Sequence, residues 1–345
     1  MQKMKRFLKK WKKKISSLMF CVVQKQLKRD LKSCGKNIPH PFTIRTKPIA
    51  MHFAFYFIFY PLSLLPLFIL YGIGYLLYLI IYYVVRYRRK IVAENLRNAF
   101  PEKSERERAQ LARRYYRHLA RIAAEMLKML TLTRRQVMRR YRCENPELVN
   151  RFYEEGKSVI LMSSHYNDWE WMILSLPLQY RHLAVGVGKA NSNKTFEKLI
   201  NRARTRYGTT VVFADHVREL FESRERERQL SAYMMLSDQS PNNIHKSYKT
   251  MFLNQPTGMI YGAEYFAKKY DIPVLYYEII KTGLGRYKIV NHIITEKPQE
   301  TSNGEITEKY TRLLEATIRR EPEYWLWSHR RWKHPVDMNE IRHAS

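Results

Sequence analysis

The feature that most constrains this chain is Leu67–Val85, a run of 19 residues without Lys, Arg, Asp, Glu or Pro. As a helix it reaches about 28 Å, close to the thickness of one bilayer core. A soluble core helix rarely stays apolar for that length, so the run is expected to be a membrane-anchoring helix rather than a buried one. The stretch from Met51 is likewise uncharged apart from His52, and Pro61 and Pro66 interrupt it. Arg86, Arg88, Arg89 and Lys90 follow the run, which assigns that end to the cytoplasmic face. Residues 1–50, however, carry 15 Lys/Arg against the single acid Asp30. A single span would leave this basic arm on the outer side, against the positive-inside tendency. Two readings stay open: a re-entrant or monotopic hairpin broken at the prolines, or an arm that does not decide orientation. The arm itself reads either as a solvated extension or as a polybasic lipid-binding segment.

Charge narrows the partners. Sixty-two Lys+Arg against 31 Asp+Glu give +31, a field that calls for nucleic acid, an anionic membrane face, or an acidic protein or phosphorylated substrate. The 25 Tyr and 6 Trp suit a membrane–water interface, and the apolar run speaks against nucleic acid. Cys21, Cys34 and Cys143 form no C-x-x-C pair, and His182, His245, His329 and His334 show no metal-ligand spacing. Neither a metal nor another cofactor is expected, and nothing in the sequence sets an oligomeric state.

The chain divides into a basic arm (1–50), a membrane anchor (51–90), an α/β domain (91–335) and a tail (336–345). Ser104 and Glu107 are spaced as a capping box opening a long amphipathic helix to about Leu130, with Leu111, Tyr115, Leu119, Ile122, Met126 and Met129 on one side. Strands and helices then alternate. Strands are expected at Ser158–Met162, Leu183–Val187, Thr209–Phe213, Ala232–Leu236 and Val274–Ile280, with Arg286–Val290 hairpinned onto the last. Helices are expected at Trp169–Leu176, Lys194–Tyr207, Val217–Leu230, Thr257–Tyr270 and Ile306–Arg319. This pattern is α/β: a mixed central sheet flanked by helices, preceded by the apolar anchoring segment. Sites in such sheets lie at the carboxyl ends of strands. Polar clusters fall there at Ser163–Glu170, Lys189–Asn193 and Asp238-Gln239.

His165 follows a strand and Glu170 opens the next helix. Five residues of helix rotate by roughly 140°, so the two side chains meet only if His165 sits on the turn and Glu170 in the first helical turn. Asn167 suits such a turn because it tolerates left-handed backbone. A carboxylate on one ring nitrogen leaves the other as a base able to deprotonate a hydroxyl, typically worth about 10² to 10⁴-fold. An acyl-enzyme on Ser163 or Ser164 is the alternative.

In order along the chain, Pro61–Pro66, Tyr87-Arg88-Arg89-Lys90, Glu94–Pro101, Gly156–Ile160 leading to His165–Glu170, Asp238-Gln239 and Pro322–Lys333 resemble the late (secondary) lipid A acyltransferases. That family is a branch of the H-x4-D/E glycerolipid acyltransferase superfamily, and the resemblance spans about Met51 to Lys333. It implies transfer of a fatty acyl group from acyl carrier protein, or less often coenzyme A, onto a hydroxyl of a phosphorylated glycolipid, a lipid A precursor. It also implies an inner-membrane enzyme with its catalytic domain on the cytoplasmic side. His165 becomes the general base and Glu170 its partner. The same dyad in a relative would serve a lysophospholipid, aminolipid or other glycolipid acceptor.

Two positions depart from the family pattern. Asn167-Asp168 stand where Gly-Asn is usual, so Asp168 adds a second carboxylate that competes for His165. Lys189 stands where arginine is usual, before Asn191 and Asn193, and keeps the charge without the bidentate fork. Lys189 and Asn191 are substrate-binding candidates, with a solvated loop as the other reading. Asp238 and Gln239 are expected to shape the site, or simply to form a turn. Arg330 and Arg331 are expected at a substrate phosphate or the membrane interface, or else in a basic surface patch.

Overall fold

The computed structural model describes residues 55–189, 193–337 and 341; the arm 1–50 and Asn191 lie outside them. The chain divides into two units at the bond between Leu65 and Pro66. In the first, a wide helical turn at Phe55–Phe59 runs into a short helix, Tyr60–Ser63, where the Ser63 hydroxyl donates to Tyr60 O.

The second unit opens with α1 (Leu67–Leu79), which continues as one wide turn through Val84. It is the one helix among the described residues long and apolar enough to cross a membrane. Leu67, Leu70, Gly74 and Tyr78 recur every three or four residues and are buried. Next come α2 (Arg89–Ala99), α3 (Glu105–Met129) and α4 (Arg134–Arg140). The capping box holds: Glu107 N donates to Ser104 Oγ (3.3 Å) and Ser104 N to Glu107 Oε2 (2.8 Å), an arrangement worth about 1 kcal/mol. On the expected face of α3, Leu111, Tyr115, Ile122 and Met129 are buried, and Leu119 and Met126 are partly so. Helix α1 lies along α3, where a Cβ on Gly74 would meet Ala120 O at 3.1 Å. The glycine sets how closely the two helices approach.

Strand β1 (Tyr141–Cys143) and α5 (Glu147–Glu154) lead to β2 (Val159–Ser163), buried throughout. Then follow α6 (Trp169–Gln179), β3 (Leu183–Gly188), α7 (Lys194–Arg204), β4 (Thr210–Phe213), α8 (Val217–Arg226) and β5 (Ser231–Leu236). The hairpin β6 (Ser247–Phe252) and β7 (Gln255–Ile260) forms a separate two-stranded sheet. Last come α9 (Gly262–Tyr270), β8 (Val274–Gly283), β9 (Arg286–Thr295) and α10 (Glu305–Arg320). The main sheet has seven strands in the order β1-β9-β8-β2-β5-β3-β4. Strands β8, β2, β5, β3 and β4 are parallel, and β9 runs antiparallel to β8. The mixed, helix-flanked sheet expected from alternation is therefore present.

One element differs. Thr257–Ile260 belong to β7, not to a helix starting at Thr257. Leu253 and Asn254 both take positive φ (49° and 62°), the backbone of a tight hairpin turn. A Cβ on Gly258 would sit 2.2 Å from Ser247 Oγ, so only glycine lets β6 and β7 approach as they do.

Candidate active site

Strands β2 and β5 are neighbours in parallel register, with Ser163 opposite Leu236. His165 and Asp238 each lie two residues past that pair, so both leave the sheet at the same edge. The loop carrying His165 is pinned from several sides. Asn167 adopts φ 55°, as its turn-forming character suggested; its N donates to Tyr324 O (3.0 Å) and its Nδ2 to Ile279 O (2.8 Å). Tyr166 bridges to Trp325 as a single β-bridge.

Asp238 is the carboxylate that meets His165. Its Oδ1 lies 2.8 Å from His165 Nδ1, and its Oδ2 accepts from His165 N (3.0 Å) and Trp325 Nε1 (2.9 Å). Burial pushes the Asp238 carboxyl upward, but the His165 ring, its two hydrogen bonds and the Trp325 indole outweigh that and hold it below its ordinary value. Gln239 Nε2 donates to His165 Nε2 at 3.2 Å, which leaves Nδ1 as the protonated nitrogen facing Asp238. The His165 side chain is 20% exposed, and its ring packs edge-on to Trp169 at 5.4 Å. The pair is thus buried at Asp238 and partly exposed at the His165 ring.

Glu170, expected as the histidine's partner, is engaged elsewhere. It sits in the first turn of α6, as its spacing required, but accepts from Arg204 Nε (2.8 Å) and Nη2 (2.5 Å). This fork joins the start of α6 to the end of α7 across 34 residues of sequence. Burial disfavours the Arg204 charge, yet the Glu170 carboxylate more than restores it, and Arg204 is held above its ordinary value.

Asp168 does not compete for His165 either. It caps α6, its Oδ1 accepting from Glu170 N (3.1 Å) and Trp171 N (2.9 Å). It faces Glu125 of α3, whose carboxylate accepts from Tyr71 Oη (2.5 Å) and Tyr287 Oη (2.6 Å). Trp171 Nε1 also donates to Glu125 O (2.9 Å). Burial, then mutual repulsion, pushes Asp168 well above the usual carboxylate range; burial raises Glu125 as well, against its hydrogen bonds from Tyr287 and Tyr71. Asp168 Oδ2 meets no N–H or O–H donor among the described groups. A proton shared between the two acids satisfies it.

The remaining predicted residues separate. Lys189 is exposed at the end of β3, its Nζ 3.4 Å from Asn242 Oδ1. Arg330 is exposed. Arg331 is 1% exposed and donates to Thr257 Oγ1 (2.7 Å) and Gly258 O (2.9 Å), so its guanidinium fixes the β6–β7 hairpin instead of reaching a substrate phosphate. Burial lowers Arg331 to about 10, while the charge of Asp238 works the other way.

Arg204, Trp325, Glu125 and His329 were not singled out as site residues from the sequence. Arg204 fell only within the helix expected at Lys194–Tyr207, and Trp325 within the block Pro322–Lys333. His329 Nε2 accepts from Ser240 N (3.2 Å), beside Gln239, and burial lowers it to about 4. A signal for Trp325 existed in the aromatic run Tyr324-Trp325-Leu326-Trp327, but nothing in it distinguished an indole aimed at a carboxylate from one filling a core.

The geometry defines an α/β protein with a histidine–carboxylate pair at the carboxyl ends of adjacent parallel strands, its histidine partly exposed. A family model described as bacterial lipid A biosynthesis acyltransferase matches residues 42–334, and the chain belongs to that family. It is accordingly an acyltransferase of lipid A biosynthesis. Comparison with curated proteins gives no match.

Proposed function

We propose that this acyltransferase moves a fatty acyl chain from the thioester of acyl carrier protein to a hydroxyl of a lipid A precursor, with His165 as general base. The observation that carries the reading is the His165–Asp238 hydrogen bond, which leaves Nε2, where among the described residues only the Gln239 amide meets it, as the basic nitrogen. In the reaction, the acceptor hydroxyl replaces the Gln239 amide at Nε2. Its oxygen attacks the thioester carbonyl as Nε2 takes its proton. Asp238 stabilises the imidazolium that forms. The C–S bond then breaks, and the departing thiolate recovers the proton from Nε2, leaving an ester and a free carrier thiol. Glu170 acts as a positioning residue: through Arg204 it fixes the first turn of α6, on which Trp169 packs against the His165 ring.

The same reading places the protein on the cytoplasmic side of the inner membrane, where an acidic carrier protein meets a basic enzyme face. Helix α1 supports a monotopic anchor. One face packs along α3, while Phe68, Leu76 and Val84 on its other sides are 72, 60 and 76% exposed. Exposed cations Arg86, Arg88, Arg89 and Lys90 lie beyond its last turn, and Arg140 and Arg286 lie beside its first. An apolar helix with cations at both ends and a protein domain along its length suits the plane of an interface, not a crossing.

A purified-enzyme assay tests the function: acyl carrier protein and coenzyme A thioesters offered with a lipid A precursor, and with a lysophospholipid as competing acceptor, products read by mass spectrometry. An acylated lipid A precursor formed from the carrier-protein donor is expected. Acylation of the lysophospholipid alone would move the assignment to the other acceptor class.

A further inference from the structure

A cavity of about 460 Å³ opens beside the first turns of α1, away from His165. It is bounded by α1, the end of α3, α4 and the β8–β9 turn. Three cations line it, Lys128, Arg140 and Arg286, and no carboxylate does among the described residues. Arg140 is oriented by its bond to Gly285 O (3.1 Å), and Lys128 is partly buried. Burial and the neighbouring Arg140 charge both push Lys128 below its ordinary value. Such a cluster favours an anion that would separate the like charges. The rest of the wall is apolar, with Leu67 and Leu132 buried and Phe68 and Leu284 exposed at the rim (72 and 51%). A free anion gains nothing from those side chains; an anionic amphiphile uses both parts. Its volume falls within the usual range of about 300–1,000 Å³ for small-molecule sites. None of His165, Trp169, Asp238 and Gln239 lines it, so an occupant here need not contact the reacting atoms.

We infer that this cavity holds the phosphate headgroup of an anionic membrane phospholipid among Lys128, Arg140 and Arg286, with its glycerol and upper acyl carbons against Phe68, Leu132 and Leu284. The site is distinct from the acceptor site at His165 and stands whichever lipid is acylated. It moors the first turn of α1 at headgroup level and makes the docking selective for anionic lipid.

The test is native mass spectrometry of the full chain in a nonionic detergent, titrated separately with phosphatidylglycerol, phosphatidylcholine and inorganic phosphate. One phosphatidylglycerol per chain should be retained, at least about tenfold more readily than phosphatidylcholine. Combined Lys128→Gln, Arg140→Gln and Arg286→Gln should lower that occupancy by about tenfold or more. Because that variant removes three charges, Arg224→Gln, Arg226→Gln and Arg228→Gln together give a charge-matched control, expected to retain the lipid as the unmodified chain does. Leu284→Trp narrows the mouth from an exposed position, keeps every cation, and should also reduce occupancy. Equal retention of phosphatidylcholine, equal loss in the charge-matched control, or unchanged retention in either cavity variant would overturn the inference. Cavity-dependent uptake of inorganic phosphate without the lipid would overturn it too, in favour of a free-anion site.

Discussion

Two carboxyl groups, Asp238 and Asp168, hold the loop 165–170 in opposite ways. In front of it, Asp238 is buried yet held ionised, because the His165 ring, the His165 amide and the Trp325 indole all offer hydrogen-bond donors. Behind it, Asp168 is equally buried but faces Glu125, a second acid, and both rise above their ordinary values. Burial is the same; the donors differ. A buried carboxylate surrounded by N–H groups stays charged and can stabilise an imidazolium, whereas two buried acids that face each other retain a proton between them and serve as a structural clamp. Asp168 therefore anchors the helix start that carries Glu170 and Trp169, and leaves His165 to Asp238.

Each side of the comparison breaks differently. Asp238→Asn keeps the shape but removes the charge facing Nδ1; the acyl-transfer rate constant should fall by about 10² to 10⁴-fold with little change in acceptor KM. An equal rise in KM with no loss of rate would make Asp238 a substrate contact only. Next in size is Glu170→Gln. It leaves the Arg204 guanidinium without its carboxylate, and since Arg204 is about a quarter exposed, a loss of about 2–3 kcal/mol in folding stability is expected by chemical denaturation. If Glu170 were instead the histidine's partner, activity would collapse while stability held.

Asp168→Asn sharpens the comparison through pH. The carboxyls of Asp168 and Glu125 titrate above their ordinary range in the folded chain. Their contribution is thus fully present below the unfolded carboxylate pKa of about 4 and is lost as pH rises through the raised values. Asparagine can still cap α6 and donate to Glu125 without titrating. Its melting temperature should fall less on the alkaline side than that of the unmodified chain; parallel curves would mean that no proton is shared. The smallest effect belongs to Trp325→Phe, which removes one of the donors to Asp238 and should slow transfer by about tenfold, near one hydrogen bond to a charged group.

Much of the fold was legible because the sheet's strands are short apolar runs separated by turn residues, as at Ser158–Met162 and Ala232–Leu236. The β6–β7 hairpin was not: Gln255–Ile260 carries Pro256 and Gly258, and its strand character depends on a cross-strand approach that only tertiary structure reveals. At the site, the five-residue spacing correctly placed His165 on a turn and Glu170 in a helix, with Asn167 as the left-handed residue. It did not assign the histidine's partner, because Asp238 is 73 residues away and reaches His165 only through the β2–β5 register. Arg331 misled for a related reason, since a basic run near the end of the chain reads as surface until a neighbouring hairpin is seen to enclose one of its members.

The most direct test of His165 as the base is single-turnover transfer by His165→Ala, with acyl carrier protein thioester and lipid A precursor both saturating. Loss of rate by about 10² to 10⁴-fold, with the folded state and donor binding retained, is expected if Nε2 takes the hydroxyl proton. A rate equal to that of the unmodified enzyme would mean that another group removes the proton, and that the His165–Asp238 pair only holds the loop in place.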